Sequence, residues 1–298
     1  MNDLGSVPQA YGTPEHGAIP GSAGGRVSTV TLNNGITMPQ LGFGVGRVSG
    51  DEAARAVAVA IEAGYRSIDT AARYHNEEEV GCAVRASGVS RAELFITTKL
   101  WNDEHGYDEA LWAFDMSMKR LDLDYVDLYL IHWPCPVRDR YVETWKAFER
   151  LHADGRARAI GVSNFTAETL ERLLGETGVV PAVNQIELHQ NLAQTGLRAL
   201  HAEHGIVTEA YSPLGRGRRL LDDPTLAGLV AKHGRTPAQV VLRWHMQLGN
   251  AAIPKSVTPA RIAENIDVFD FELDPDDMAA IARLDDGTRL CVDPETFG

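Results

Sequence analysis

From Leu41 onward the chain alternates two hydrophobic patterns. Short apolar-rich runs occur at Leu41–Val45, Ser67–Thr70, Leu94–Leu100, Val126–His132, Ala157–Ser163, Ala182–Leu188, Ile206–Ser212 and Ala251–Ser256. Val126-Asp127-Leu128-Tyr129-Leu130-Ile131 is nearly continuously apolar, as expected of a strand covered on both faces. Longer stretches between the runs carry apolar residues at helical spacing. They predict helices over Asp51–Ala63, Glu77–Ala86, Asp108–Leu121, Arg140–Asp154, Ala167–Leu174 and Pro237–Leu248. Ahead of these, Val27–Leu32 and Ile36–Pro39 flank Asn33-Asn34-Gly35, a β-hairpin signal.

Eight strands joined by helical crossovers require a parallel sheet. In a chain of this length they predict an α/β protein with a closed (β/α)8 barrel, a TIM barrel, preceded by the hairpin. A doubly wound open sheet is the rival. It usually carries Gly-x-Gly-x-x-Gly after its first strand, and Gly42-Phe43-Gly44-Val45-Gly46 has the wrong spacing. No interior linker is visible, so residues 27–298 read as one domain. Residues 1–26 are rich in Gly, Pro, Ser and Ala and read as a flexible leader.

Composition narrows the partners. The 298 residues are 44% hydrophobic, enough for a sizeable core, and carry a net charge of −13. That balance argues against nucleic acid and against anionic membranes. No apolar run is long enough to span a bilayer, and there is no apolar signal core at the N-terminus. Cys82, Cys135 and Cys291 are too few and too odd for a disulfide framework, which points to a reducing, cytoplasmic location. His201-Ala202-Glu203-His204 has no further ligand pattern, so no metal is expected.

The charge is uneven. Residues 211–261 hold eight bases (Arg216, Arg218, Arg219, Lys232, Arg235, Arg243, Lys255, Arg261) and two acids (Asp222, Asp223), a net of +6. Residues 264–298 hold eleven acids and two bases, a net of −9. A basic stretch inside an acidic protein raises the question of a small anion.

Barrels of this kind do chemistry at the C-terminal ends of their strands. Asp69 ends the second run, Tyr74 lies in the loop after it, Lys99 sits near the end of the third, and His132 ends the fourth. Lys99 within an apolar strand must lose hydration and needs a partner, for which Asp69 is the natural candidate. A nearby ammonium favours a phenolate and would lower the pKa of Tyr74 toward the range useful for acid–base work. His132 could donate a hydrogen bond to a substrate oxygen. Together these groups suit protonation of a carbonyl oxygen as charge develops on it. Lys99 would also suit a Schiff-base aldolase, and a binding protein that keeps the barrel is a third reading.

The motifs are Ile68-Asp69-Thr70-Ala71 through Tyr74, Thr98-Lys99-Leu100-Trp101-Asn102, Val126 to Pro134, Gly161-Val162-Ser163-Asn164-Phe165, and Ile253-Pro254-Lys255-Ser256. In that order they resemble the aldo-keto reductase superfamily, in particular the bacterial branch that includes 2,5-diketo-gluconic acid reductases. The resemblance runs from about Val30 to the C-terminus. It implies NADPH-dependent reduction of aldehydes and ketones (small aldehydes, α-dicarbonyls, keto-sugars), with a small-molecule carbonyl substrate and a monomer as the family default. Asp69, Tyr74, Lys99 and His132 match the family's catalytic tetrad, with Tyr74 as proton donor.

The same resemblance implies an NADP(H) site. Gly44, Val45, Ser163, Asn164 and Gln185 would border the nicotinamide, on which Tyr211 would stack. Ser212, Leu214 and Arg216 would pass over the pyrophosphate. Lys255, Ser256, Val257, Thr258 and Arg261 would take the ribose 2′-phosphate, and Glu264 and Asn265 the adenine. Two bases and a hydroxyl suit a phosphate, which favours NADPH over NADH. Arg218, Arg219, Lys232, Arg235 and Arg243 are read as a solvated face. Many family members carry an aromatic residue where this chain has Gly46, so the pocket wall is expected to be lower there. Trp101, Trp133 and Val45 would remain as apolar lining, and the short tail Arg289–Gly298 predicts a small substrate loop. Cys135 and Cys291 would lie in loops near the pocket.

Overall fold

The computed structural model describes residues 27–217 and 219–298. The segment read as a leader, and Arg218, lie outside the described residues. The Asn-Gly turn joins β1 (Thr29–Thr31) to β2 (Thr37–Pro39) as an antiparallel hairpin in which Val30 faces Met38. The eight barrel strands follow: β3 (Phe43–Gly44), β4 (Ser67–Asp69), β5 (Phe95–Leu100), β6 (Val126–Ile131), β7 (Ala157–Ser163), β8 (Val183–Glu187), β9 (Val207–Tyr211) and β10 (Ala251–Ile253). Each pairs in parallel with the next, and a Leu41–Ala252 bridge closes the ring between first and last. The expected (β/α)8 barrel with its N-terminal hairpin is therefore present.

The helices are α1 (Gly50–Glu62), α2 (Glu77–Ala86), α3 (Tyr107–Leu121), α4 (Tyr141–Ala153), α5 (Ala167–Glu176), α6 (Thr195–Glu203), α7 (Pro224–His233), α8 (Pro237–Gln247), α9 (Pro259–Ile266) and α10 (Pro275–Ala282). Four of them start with Pro at the first turn, where its missing N–H costs nothing. Thr236 caps α8 through the Gln239 N–H, with the reciprocal bond from Gln239 completing a capping box. Close packing of α2 on α3 depends on Gly81. A Cβ there would lie 1.9 Å from the Leu121 carbonyl oxygen.

Two apolar clusters hold the barrel. The larger lies between strands and helices and includes Trp145, Phe148, Tyr129 and Trp244. The smaller joins the hairpin residues Val30, Leu32 and Met38 to Leu128, Leu130 and Ala159 of the barrel. Each such buried aliphatic side chain contributes roughly 1.5–3 kcal/mol. The hairpin thus plugs the N-terminal mouth, and the site can open only at the opposite end. No helix among the described residues is long and apolar enough to cross a membrane.

Candidate active site

At the C-terminal mouth, strand register brings the ionisable groups together. Asp69 is the last residue of β4 and pairs with Thr97 of β5; Lys99 follows two residues on. Lys99 is fully buried, its Nζ 2.5 Å from Asp69 Oδ1, and it also donates to the Thr70 carbonyl at 2.8 Å. Burial works against the ammonium. The charges of Asp69 and Tyr74 outweigh it and hold the Lys99 pKa above the ordinary lysine value.

Tyr74 ends a short 3₁₀ turn, Ala72–Tyr74. Asn76 fixes this loop: it accepts from Thr70 Oγ1 at 2.6 Å and donates to the Val45 and Val48 carbonyls at 3.0 and 2.7 Å. The Lys99 ammonium lies 5.3 Å from the centre of the Tyr74 ring. It does not depress the phenol as the sequence suggested. Burial raises the Tyr74 pKa by more than Lys99 lowers it, so the phenol keeps its proton. His132 follows β6, edge-on to Tyr74 at 5.6 Å and to Trp101 at 5.2 Å between ring centres. Burial, then the charges of Lys99 and Arg73, drives its pKa well below the usual range, so the imidazole is neutral.

Beneath these groups lies a residue that the sequence reading missed. Glu209 of β9 is buried, and Gln185 Nε2 donates both to it at 2.7 Å and to Asp69 Oδ2 at 2.9 Å. Burial, and then repulsion from Asp69, pushes the Glu209 carboxyl up to about 8. One amide therefore ties a charged carboxylate to a carboxyl that holds its proton at neutral pH.

A cleft of about 970 Å³ runs from this floor across the barrel mouth. Its walls include Gly44, Gly46, Asp69, Tyr74, His132, Trp133, Ser163, Asn164, Gln185, Tyr211, Ser212, Leu214, Arg216, Lys255, Ser256, Val257, Thr258, Arg261, Glu264 and Asn265. Nearly every residue expected there is brought together, although the positions run from Gly44 to Asn265 in sequence. Val45 is the exception. Its side chain is in the core, because residues before and after it face the cleft and the chain alternates. Lys99 sits below the surface behind Asp69, and Trp101 reaches the cleft only through its packing on His132. Cys291 lines the cleft as expected, and Arg47 and Asp222 line it without having been assigned to it.

The middle of the cleft is rigidly hydrogen-bonded. Tyr211 donates to Asn164 Oδ1 at 2.7 Å, Asn164 Nδ2 donates to the His132 carbonyl at 2.9 Å, and Ser163 donates to the Gln185 carbonyl at 2.8 Å. At the far arm the basic segment divides. Lys232 pairs with Asp274 and Asp277, Arg235 with Asp267 and Asp270, and Arg243 bonds Gln247 and the Val268 carbonyl. These three are thus not the free solvated face that was expected; the acidic C-terminal segment neutralises two of them. Lys255 and Arg261 have no acid partner among the described residues and face the cleft.

The chain's end closes the other arm. Glu187 accepts the Leu290 and Cys291 N–H groups at 2.7 and 3.0 Å, pinning the tail to β8. Phe297 then packs on Trp133 at 4.6 Å and on Trp101 at 6.3 Å. Cys135 is buried, Cys291 is at the cleft, and all three cysteines are free thiols. His201 bonds Thr208 and Asn184 in the core, which accounts for it structurally.

This arrangement, with acid–base groups at the floor of a barrel mouth and an anion-ready arm beside them, matches what sequence comparison finds. The model of the aldo/keto reductase family covers residues 36–286. The chain belongs to the aldo/keto reductase family. An aldo-keto reductase of Mycolicibacterium smegmatis is 58% identical over 90% of this chain and 97% of its own length. Methylglyoxal reductase DkgA of Escherichia coli K12 is 52% identical over 91% of this chain and 98% of its own. Among solved structures, a variant of Gox0644 in complex with NADPH superposes with a TM-score of 0.87 at 50% identity. It covers 93% of this chain and 100% of that one.

Proposed function

We propose that this protein reduces aldehydes and ketones with NADPH, Tyr74 supplying the proton. The observation that carries the reading is the Tyr74 phenol beside a buried Lys99–Asp69 pair, in a cleft whose far arm holds two cations without an acid partner among the described residues. The NADPH complex of the Gox0644 variant supports the cofactor, and the name of DkgA supports α-dicarbonyls among the substrates.

Lys255, Arg261 and Ser256 would hold the 2′-phosphate, where guanidinium and ammonium form charge-assisted bonds. Tyr211 would present its ring to the nicotinamide, with Ser163 and Asn164 beside it. When bound, the dihydronicotinamide supplies the hydride.

This chain's own residues handle the oxygen. Negative charge develops on the substrate oxygen as its carbon is reduced. Tyr74 donates a hydrogen bond to that oxygen and then its proton. Neutral His132 donates a second hydrogen bond without delivering a full proton. The phenolate left on Tyr74 faces the Lys99 ammonium, which stabilises it, while Asp69 keeps Lys99 charged and in place. A raised pKa in the resting enzyme keeps Tyr74 loaded, and the ammonium limits the cost of unloading it. The three thiols are free, which suits a reducing compartment.

The test is NADPH consumption with methylglyoxal and a panel of aldehydes. Tyr74→Phe is expected to cut kcat by at least about 100-fold, the scale of a lost general acid, while NADPH binding followed by fluorescence persists. Full activity in that variant would remove Tyr74 from the mechanism.

A further inference from the structure

Glu209 has no part in the proton transfer described above, yet its place is specific. Register sets it opposite Gln185 on β8 and Ala251 on β10, and it is buried. Its carboxyl shares one amide with Asp69: Gln185 Nε2 lies 2.7 Å from Glu209 Oε2 and 2.9 Å from Asp69 Oδ2. Among the described residues it forms no ion pair. Lys99, whose charge acts on it, donates to Asp69 Oδ1 and the Thr70 carbonyl instead. Two buried carboxyl groups that share a site do not both ionise readily. Lys99 settles which one does. Asp69 takes the ammonium and stays charged, and Glu209, desolvated and repelled by Asp69, keeps its proton up to about 8.

The charge on this floor bears on the reduction. With Glu209 neutral, Lys99 and Asp69 cancel, and the Tyr74 phenolate is the one uncompensated charge that forms. An ionised Glu209 would add a second negative charge. It would oppose the field of Lys99, which faces the Tyr74 ring, and so make the phenol a weaker acid. No other group around the floor ionises as early. Burial lifts Tyr74 and Tyr211 above the ordinary tyrosine value and Cys291 above the ordinary thiol value. Lys99 is held above the ordinary lysine value, and His132 is neutral throughout. The charge of Arg47, which also acts on Tyr74, is permanent. On the other side of Glu209, β10 contributes Ala251, Ala252 and Ile253, none of which titrates.

We propose that Glu209 is a positioning residue of the reduction. Its neutral carboxyl, tied through Gln185 to Asp69, keeps the floor free of a second negative charge while the Tyr74 phenolate forms, and its ionisation sets the alkaline limit of the reaction. It acts through Asp69 and Lys99 and does not touch the reacting atoms. The proposal rests on the carbonyl-reductase reading and deepens it.

The test is single-turnover reduction of para-nitrobenzaldehyde, which has no ionising group, by NADPH-loaded enzyme. Single turnovers report the chemical step apart from product release. The quantity read is the ratio of the rates at pH 7 and pH 9. Wild type is expected to be about 3- to 10-fold slower at pH 9, with the midpoint near 8. Glu209→Gln puts an amide of the same shape in place of the acid, cannot ionise, and should bring the ratio to about 1. Glu209→Met, neutral but without an acceptor for Gln185, should also give about 1 whatever its absolute rate. A group that served packing alone would lower both rates and leave the ratio in place. A wild-type ratio near 1, or one that both substitutions leave in place, overturns the proposal. Infrared difference spectra of the wild type without cofactor give a second reading that needs no variant to fold: loss of a protonated-carboxyl band between pH 7 and pH 9 supports the proposal, and no such loss overturns it. If the aldehyde is reduced at neither pH, the reductase reading fails and takes the proposal with it. Reduction with a ratio untouched by substitution is a failure of the proposal alone.

Discussion

Asp69→Asn separates the structural from the chemical role of the buried pair. The substitution keeps the shape but removes the charge opposite Lys99, whose Nζ donates to Asp69 Oδ1 at 2.5 Å and to the Thr70 carbonyl at 2.8 Å. The new amide is also wrongly matched. If its oxygen faces Lys99, its NH2 faces Gln185 Nε2, now a donor against a donor, and flipping it only moves the conflict to Lys99. Leaving a buried ammonium without its counter-charge costs about 3–5 kcal/mol. That is a large share of the roughly 5–15 kcal/mol that holds a typical domain. For a chain of this size it corresponds to a fall in Tm of roughly 5–8 °C. Asp69→Asn/Lys99→Met removes both charges and fills the lysine channel with an apolar chain of similar length. Its stability should return to within about 1 kcal/mol of wild type. Activity should not return, because the cation facing Tyr74 is gone. Urea denaturation gives the stabilities and NADPH consumption the activities. An Asp69→Asn protein as stable as wild type, or a double variant no more stable than the single, would refute the argument.

Two further outcomes are expected. Replacing Lys255 with Met and Arg261 with Leu should weaken NADPH binding by about 100-fold, some 1.5 kcal/mol for each charge-assisted contact, and leave NADH within about 2-fold; equal weakening of both cofactors in fluorescence titration would contradict the 2′-phosphate assignment. Stability should also fall steeply as pH drops from 6.5 toward 4. Burial holds His105, His201 and His245 at about 4, 4 and 3, and His132 well below 6.5, so the unfolded chain takes up protons at these sites that the folded chain refuses. Glu209 opposes them by one proton, because it is protonated in the folded state up to about 8 and in the unfolded state only below about 4.5. The net of about three protons gives a slope of roughly 4 kcal/mol per pH unit near pH 5.5; a urea midpoint that stays flat between pH 6.5 and 5 would show that these imidazoles are not held neutral.

Much of the scaffold was legible because its signals are local. The helix over Glu77–Ala86 and the strand over Ala157–Ser163 match the observed elements residue for residue. Most other ends shift by one or two residues. The largest single shift is at Ala251–Ser256, whose strand stops at Ile253, and at Leu41–Val45 only Phe43–Gly44 keeps regular ladder pairing because Leu41 is committed to the closing bridge with Ala252. Hydrophobic period depends on near neighbours along the chain, so a single sequence exposes it.

Charges behaved differently. Lys232, Arg235, Lys255 and Arg261 look alike in sequence. Which of them remain free for a ligand was decided by the acidic helices and turns that fold back onto the first two. Glu209 was invisible for the same reason: it meets Gln185 only because β8 and β9 pair in that register. Likewise the sign of the Tyr74 shift is a competition between burial and Lys99, and burial is a property of the packed molecule. The chain by itself determined the order of strands and helices, the barrel they close into, and the residue types that arrive at its mouth. Only the tertiary structure decided which charges cancel, which stay unpaired in the cleft, and which protons are held, because each of those is a sum over neighbours distant in sequence.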